Sequence, residues 1–334
     1  MKLKTLLLAA TLAAGTLSLS AHADTRLIRF GYGLNQDSNQ GRAVQVFADE
    51  VAKLSGGKMK VRAIGAAALG SDIQMQQALI GGAQEMMVGS TATLVGITPE
   101  MALWDTPFLF NSGPEADQVL DGKTGQQIMD KLSDKGLIGL VYWENGFRNL
   151  TNSKKPVQSA DDLKGLKLRV MQNNVFLDTF QRLGANAVPL PFSELFTALE
   201  TKTVDGQENP YNTILSSKFY EVQKYLSVTN HVYSPWIVTA SKKWWDGLSA
   251  DEQGILMQAA KVSRDFERKD TRAEADKALA QLKADGMQVN TVSTDAVQQM
   301  RSTIAPVNEQ IKKEVGPELW QAVQDQLKEI RKAS

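Results

Sequence analysis

The chain has 334 residues, with 37 basic and 37 acidic side chains, two histidines and no cysteine. Loss of Lys2 and Lys4 with the first 23 residues would leave 35 basic against 37 acidic residues, without the basic excess of proteins that bind nucleic acids or membrane surfaces. His22 would leave with the same segment, so His231 alone would remain, and the usual zinc sites built from cysteine and histidine are excluded.

The first residues have the pattern of an export signal. Lys2 and Lys4 precede an apolar run at residues 6–19, and Ala21 and Ala23 supply the small residues of a cleavage site. The run is shorter than the ~20 residues of a transmembrane helix, and no charged flank follows it to support the alternative of a membrane anchor. We therefore expect cleavage after Ala23 and release into the periplasm.

Strand and helix patterns alternate along the rest of the chain. Strands are predicted at residues 27–32, 59–63, 86–88, 137–143, 166–170 and 236–240. After the first strand, Val44, Phe47, Val51 and Leu54 are spaced to share one face of a helix. A further helix is expected to begin at Ser71 and Asp72. Alternation of this kind indicates an α/β fold in which helices cover the sheets.

The middle and the end of the chain suggest two lobes. Residues 142–152 mix aromatic residues, amides and an arginine without helical period, which is typical of a crossing between lobes. Ser249 and Glu252 form a capping box, and the helical pattern that follows extends to about Ala284, or roughly 50 Å at 1.5 Å per residue. Such a helix is long enough to brace both lobes, and several crossings favour a hinge over a flexible linker.

The sequence does not favour an enzyme. G-x-S-x-G, H-E-x-x-H, P-loop and G-x-G-x-x-G motifs are missing, and a Ser-His-Asp site would have to use His231. A secreted hydrolase or lyase, with arginines to stabilise an oxyanion, remains an alternative without a candidate nucleophile and base. We predict a monomeric binding protein with neither cofactor nor metal. A sensory ligand-binding module that is presented to a receptor stays open as a second alternative.

Arg169 is the strongest candidate for binding. It follows Leu168 in a strand that alternates apolar and basic residues, and it comes at the carboxyl end of that strand, where α/β sheets present ligand sites. A guanidinium in that position can form a bidentate, charge-assisted pair with a carboxylate. The pattern therefore predicts an anion site, against the alternative of a solvated surface arginine.

Four blocks identify a family resemblance. They are residues 163–169 (LKGLKLR), 191–194 (PFSE), 204–210 (VDGQENP) and 219–226 (FYEVQKYL). Their order and spacing closely resemble the substrate-binding proteins of tripartite ATP-independent periplasmic (TRAP) transporters, and the resemblance covers essentially the whole mature chain. It implies two α/β lobes, a cleft between them, a hinge, a long bracing helix, and delivery of a solute to the small and large membrane subunits of a permease.

The resemblance also implies roles for individual residues. Arg169 resembles the principal carboxylate clamp of the family, and Arg148 resembles its second basic partner. Asn209 resembles an amide that bonds the same group, and Phe192 an aromatic residue that packs over the ligand.

Further candidates complete the expected site. Ser90, Asp72 and Gln40 fall where other members place polar contacts from the first lobe. His231 either joins a water network at the pocket edge or is a structural histidine.

Two blocks refine the expected ligand. Residues 142–146 (YWENG) and 230–235 (NHVYSP) look most like members that take sugar acids such as diketogulonate and the uronates, and less like dicarboxylate binders. A C4-dicarboxylate or another organic acid is the alternative within the class. The resemblance suggests residues 24–146 and 235–274 for the first lobe, and 147–234 and 275–334 for the second.

Overall fold

The computed structural model describes residues 25–333, so the predicted export signal lies outside the described residues. Within that range the strands are β1 (Arg26–Tyr32), β2 (Met59–Ile64), β3 (Met86–Ser90), β4 (Leu137–Phe147), β5 (Asn149–Asn152), β6 (Lys167–Val170), β7 (Asn186–Pro189), β8 (Gly206–Asn209), β9 (Tyr225–Val228), β10 (Tyr233–Ser241) and β11 (Gln288–Thr291). The helices are α1 (Asn39–Leu54), α2 (Asp72–Gly81), α3 (Gly113–Leu120), α4 (Lys123–Asp130), α5 (Asn174–Arg182), α6 (Leu195–Glu200), α7 (Tyr211–Ser216), α8 (Lys242–Trp245), α9 (Ala250–Ala284), α10 (Thr294–Val315) and α11 (Pro317–Ala333).

The strands form two sheets, one in each lobe. The first has the order β2-β1-β3-β10-β4, with β1 parallel to β2 and β3, and β10 antiparallel to β3 and β4. The second has the order β11-β9-β5-β8-β6-β7, in which β6 runs parallel to β7 and β8. Helices pack on both sheets, and the predicted two-lobed α/β fold class is confirmed.

The chain passes between the lobes at two adjacent points. β4 ends at Phe147 and β5 begins at Asn149, so Arg148 alone separates a strand of one sheet from a strand of the other. The return passage, from β9 to β10, hydrogen-bonds to the first. The Arg148 N–H donates to the Val232 carbonyl at 2.9 Å, and the His231 N–H donates to the Arg148 carbonyl at 3.3 Å. Two paired passages make a narrow junction about which lobes can rotate.

Helix α9 connects the lobes a third time. Its 35 residues begin with the predicted capping box of Ser249 and Glu252. Midway along it, Thr271 contacts both lobes. The amide of Asn39 in α1 donates to its hydroxyl at 2.9 Å, and the amide of Asn212 in α7 donates to its carbonyl at 2.9 Å. The helix therefore braces both lobes, as the sequence indicated.

Leu54 departs from the sequence-based expectation. It was expected on the buried face of α1 but is 39% exposed at the last residue of that helix. Near the C-terminus, α10 packs against α5 of the second lobe, whereas α11 packs against α3 and α4, which contact β4 of the first sheet. The C-terminal segment therefore contacts both lobes.

Two buried glutamates, Glu144 of β4 and Glu267 of α9, lie close together where α9 packs against β4. Glu267 is fully buried; its carboxyl accepts from the Glu144 N–H at 2.8 Å and from the Thr271 hydroxyl at 2.7 Å. The Glu144 carboxylate instead pairs with Arg272 and accepts from the Tyr233 hydroxyl. Burial raises the pKa of Glu267 from its ordinary 4.5 to about 8, since its hydrogen bonds and Arg268 compensate only part of the lost hydration.

Replacing Glu267 with glutamine is expected to make the protein more resistant to alkali. The folded state holds this proton more tightly than the unfolded chain does, so the free energy of unfolding falls as the pH rises from about 4.5 through about 8. Glutamine can keep both contacts, accepting from Glu144 and donating to Thr271, without a charge. Urea unfolding should show the variant gaining about 1–3 kcal/mol over wild type between pH 5 and pH 9.

The exposed Asp265 on the same helix provides the control, because Asp265→Asn should show no such trend. A Glu267→Gln variant whose stability tracks that of wild type at every pH would contradict the assignment of a buried, protonated carboxyl.

Candidate functional site

A cleft lies between the two lobes beside the junction. Elements of both lobes line it, including the ends of β3 and β6. Of the eight predicted site residues it brings together seven, namely Gln40, Asp72, Ser90, Arg148, Arg169, Phe192 and Asn209. His231 does not line it.

Arg169 is a buried cation without an acidic partner. It lies near the end of β6 with 3% of its surface exposed, and its Nε–H donates to the Leu190 carbonyl at 2.9 Å, which fixes the plane of the guanidinium. No carboxylate of residues 25–333 lies within ion-pair distance of it. Burial and the neighbouring Arg148 lower the pKa of Arg169 to about 10, so the group remains charged at neutral pH. A buried charge without a partner favours an anion in the cleft.

Arg148 lines the cleft and is paired within the protein. Its guanidinium forms a bidentate pair with Glu208, with one nitrogen 2.7 Å from Oε1, and it also donates to the Glu208 carbonyl. Both side chains are almost completely buried. Arg148 still lines the cleft, but its charge is largely balanced within the protein, and Arg169 is left as the uncompensated cation of the pocket.

His231 lies behind this pair. Its Nε2 is 2.9 Å from Glu208 Oε2, its Nδ1 is 2.8 Å from the Thr229 hydroxyl, and its ring packs edge-on against Phe180. Burial alone would raise the pKa of Glu208, but Arg148 and His231 hold it at about 2. Of the two readings offered by the sequence, the structural histidine fits this environment, since both ring nitrogens have protein partners.

Asn209 ends a chain of buried hydrogen bonds on the second lobe. Its amide donates to Gln207 at 2.7 Å, Gln207 donates to the Thr151 hydroxyl at 2.9 Å, and that hydroxyl donates to Gln223 at 2.7 Å. One Asn209 N–H is thereby committed and the second remains for the cleft. The side chain is held in position before any ligand arrives.

The first lobe supplies a wall of polar acceptors and donors. The Gln40 amide oxygen accepts from the Leu34 N–H at 3.0 Å, so its NH₂ group remains available. Asp72 Oδ2 accepts from the Ser90 N–H at 2.9 Å. Burial raises the pKa of Asp72, although the Ser90 N–H and the charge of Arg169 oppose the shift.

Sequence reasoning missed part of the lining. The Thr213 hydroxyl donates to the Asn145 side-chain carbonyl at 2.9 Å, and both residues face the cleft, as do Thr93 and Trp236. Asn145 lies within the block YWENG, which was used only to infer the ligand class. Phe192, which was predicted, packs against Phe219 with ring centroids 6.0 Å apart.

Residues of the two lobes contact each other around the cleft. The Ser90 hydroxyl is 3.4 Å from Met171 Sδ in the second lobe. The Asn173 amide, also of the second lobe, donates to the Ala92 carbonyl at 3.1 Å and to Asp105 at 2.7 Å. Burial raises the pKa of Asp105 to about 8, and the Asn173 bond offsets only part of that rise. The lobes are therefore closed over the site.

Other classes of site were also sought. Residues 25–333 contain no group of three or more histidine, aspartate or glutamate side chains suited to a metal ion. In the same part of the chain, every helix is too short or too polar to cross a membrane.

Comparison with known proteins provides independent evidence for the family of this chain. The family model of bacterial extracellular solute-binding protein, family 7, matches residues 30–314. The 2,3-diketo-L-gulonate-binding periplasmic protein YiaO of Escherichia coli (strain K12) is 38% identical over 286 residues, which is 86% of each chain.

Solved structures resemble the whole described molecule. The sugar acid binding protein DctPAm from Advenella mimigardefordensis strain DPN7T, in complex with galactonate, is 52% identical with a TM-score of 0.90, covering 92% of this chain and 99% of that one. A TRAP periplasmic solute binding protein from Sulfurospirillum deleyianum DSM 6946, with bound succinate, is 31% identical with a TM-score of 0.86, covering 90% of this chain and 98% of that one.

Proposed function

The chain belongs to family 7 of the bacterial extracellular solute-binding proteins, the solute-binding proteins of TRAP transporters, and from this premise we propose that its ligand is a six-carbon sugar acid. The family consists of transporter binding proteins and not of enzymes. Arg169 would hold the carboxylate of the ligand, and polar groups of both lobes would bind its hydroxyls. The single observation that carries this proposal is the buried guanidinium of Arg169, which has no acidic partner among residues 25–333. The other polar residues that line its cleft are the Glu208-paired Arg148, amides, hydroxyls and one acid.

The charge balance of the cleft favours one carboxylate. Arg169 is the cation without an acidic partner, and Glu208 already balances Arg148. A second carboxylate would have to be buried without a cation of its own, at a cost of several kcal/mol. Asn209 can donate an N–H to the same carboxylate that Arg169 binds.

The remaining lining suits hydroxyl groups. Gln40 offers an NH₂ group, Ser90 a hydroxyl and Asp72 a carboxylate oxygen, and Asn145 adds a further amide. Sugar hydroxyls both donate and accept, so they can satisfy such a mixed set. The relatives named for diketogulonate and for galactonate support this ligand class.

Closure of the cleft on a ligand would couple binding to transport. Contacts to both lobes exist only when the cleft is closed, so a ligand that bridges them shifts the hinge equilibrium by its differential affinity for the closed state. The small and large membrane subunits of a TRAP permease would then recognise the closed form. Cleavage of the signal after Ala23 would release the protein to act in the periplasm.

A titration series tests the ligand class. In one buffer, calorimetry with galactonate, gluconate, glucuronate, galacturonate, succinate, malate and glucose should show at least one six-carbon acid binding tenfold more tightly than succinate or malate. Glucose should give no measurable heat, because it leaves Arg169 buried without an anion.

The alternative is a C4-dicarboxylate, which the succinate-bound neighbour favours. Succinate or malate binding most tightly in the series would establish that alternative and would leave the transporter assignment intact.

A further inference from the structure

We propose that Asp72 restricts the cleft to ligands that carry a single negative charge, by repelling a second carboxylate at the end of the ligand remote from Arg169. The inference rests on the proposed function and assigns selectivity within that cleft to one residue. It predicts that neutralising Asp72 admits diacids that the natural protein rejects.

Asp72 has a fixed position on the first-lobe wall of the cleft. It is the first residue of α2, whose cap is Ser71, and its Oδ2 accepts from the Ser90 N–H at 2.9 Å. The Ser90 hydroxyl in turn contacts Met171, two residues beyond Arg169 on the other lobe. Asp72 and Arg169 therefore line the same cleft from different lobes.

One oxygen of Asp72 remains available to the ligand. Asp72 lines the cleft, and its Oδ1 accepts no hydrogen bond from any residue in the range 25–333. A carboxylate oxygen accepts from a ligand hydroxyl, which a sugar acid supplies. A carboxylate on the ligand has no proton to offer. Burial raises the pKa of Asp72, but the Ser90 N–H and the charge of Arg169 favour its ionised form, in which it would present a like charge to that carboxylate.

The rest of the cleft does not compensate such a ligand. Glu208 balances Arg148, and the first carboxylate of the ligand would balance Arg169. Among residues 25–333, no lysine lines the cleft. Like-charge juxtaposition in a closed site is a recognised means of rejecting a wrong partner.

Asp72→Asn separates this role from a structural one. The asparagine carbonyl can still accept from the Ser90 N–H, so the bond that holds β3 to α2 is retained, and only the charge is lost. Galactonate and galactarate form a matched ligand pair, because galactarate differs from galactonate only in having a carboxylate where galactonate has a terminal CH₂OH group.

We expect the ratio of the galactarate Kd to the galactonate Kd to fall at least tenfold in Asp72→Asn, mainly through tighter binding of galactarate. Asp72→Glu, which keeps the charge, should retain discrimination against galactarate. Glu194→Gln, which neutralises an exposed acid next to Phe192 outside the cleft, should leave the ratio unchanged. Asp72→Ser provides a second neutral variant if the asparagine form does not fold.

Affinities of the wild type test the proposed ligand class, whereas affinities of the Asp72 variants test the role of Asp72. Succinate binding more tightly than galactonate to the wild type would overturn the proposed ligand class. A galactarate-to-galactonate ratio that is equal in wild type and in the neutral Asp72 variants would overturn the role of Asp72, whichever ligand class prevails.

Discussion

Replacing Arg169 with alanine is expected to weaken ligand binding by about 30- to 4000-fold while the fold persists. Loss of one partner of a buried, hydrogen-bonded charge pair costs about 2–5 kcal/mol of binding free energy, which corresponds to that range of affinity. The fold should tolerate the change because Arg169 has no acidic partner in the protein and donates one hydrogen bond, to the Leu190 carbonyl. Removing a buried, unpaired cation relieves a cost in the free protein.

Calorimetry with the tightest ligand of the titration series measures the effect. Arg169→Lys should also bind the ligand poorly, since an ammonium group cannot form the two parallel hydrogen bonds that a planar guanidinium makes with a carboxylate. Arg182→Ala removes an exposed arginine of the same lobe and should bind like wild type. Binding by Arg169→Ala within threefold of wild type would show that the carboxylate lies elsewhere.

Local patterns were sufficient to predict the fold class, whereas most of the residues that line the cleft were predicted from the family resemblance. The length of α9 follows from a capping box and a sustained helical pattern, both of which are local in sequence. The position of Arg169 at a strand end, together with the family resemblance, likewise identified the buried cation. Local information fails at Leu54, because the exposure of a last helical turn depends on how far the neighbouring sheet extends.

The state of Arg148 required the structure. Its partner Glu208 is 60 residues away and lies on a different strand, so neither spacing nor periodicity brings the two together. The same limit applies to Asn145 and Thr213, which are 68 residues apart and meet only because the crossing strand passes α7. Long-range pairing of buried polar groups decides which charges a ligand encounters, and the sequence alone does not indicate that Glu208 balances Arg148.

Breaking the Arg148–Glu208 pair should give the largest loss of stability among single changes at the site. Both Glu208→Gln and Arg148→Met leave an uncompensated charge at a buried position, which typically costs about 3–5 kcal/mol of unfolding free energy. Urea unfolding at pH 7 without ligand measures this. Asp161→Asn, which breaks the exposed and solvent-screened pair with Lys164, should leave the stability almost unchanged and serves as the control.

The same two variants should change ligand affinity in opposite directions. Glu208→Gln leaves the charge of Arg148 available to the cleft, so a carboxylate ligand should bind about tenfold more tightly and should restore part of the lost stability. Arg148→Met leaves Glu208 as an unbalanced negative charge behind the site, so the same ligand should bind about tenfold more weakly. Because both variants are destabilised alike, general damage to the fold predicts weaker binding in both. Affinities that fall together would therefore mean that the pair only maintains the shape of the junction, whereas opposite shifts would show that Glu208 sets the charge that the ligand meets.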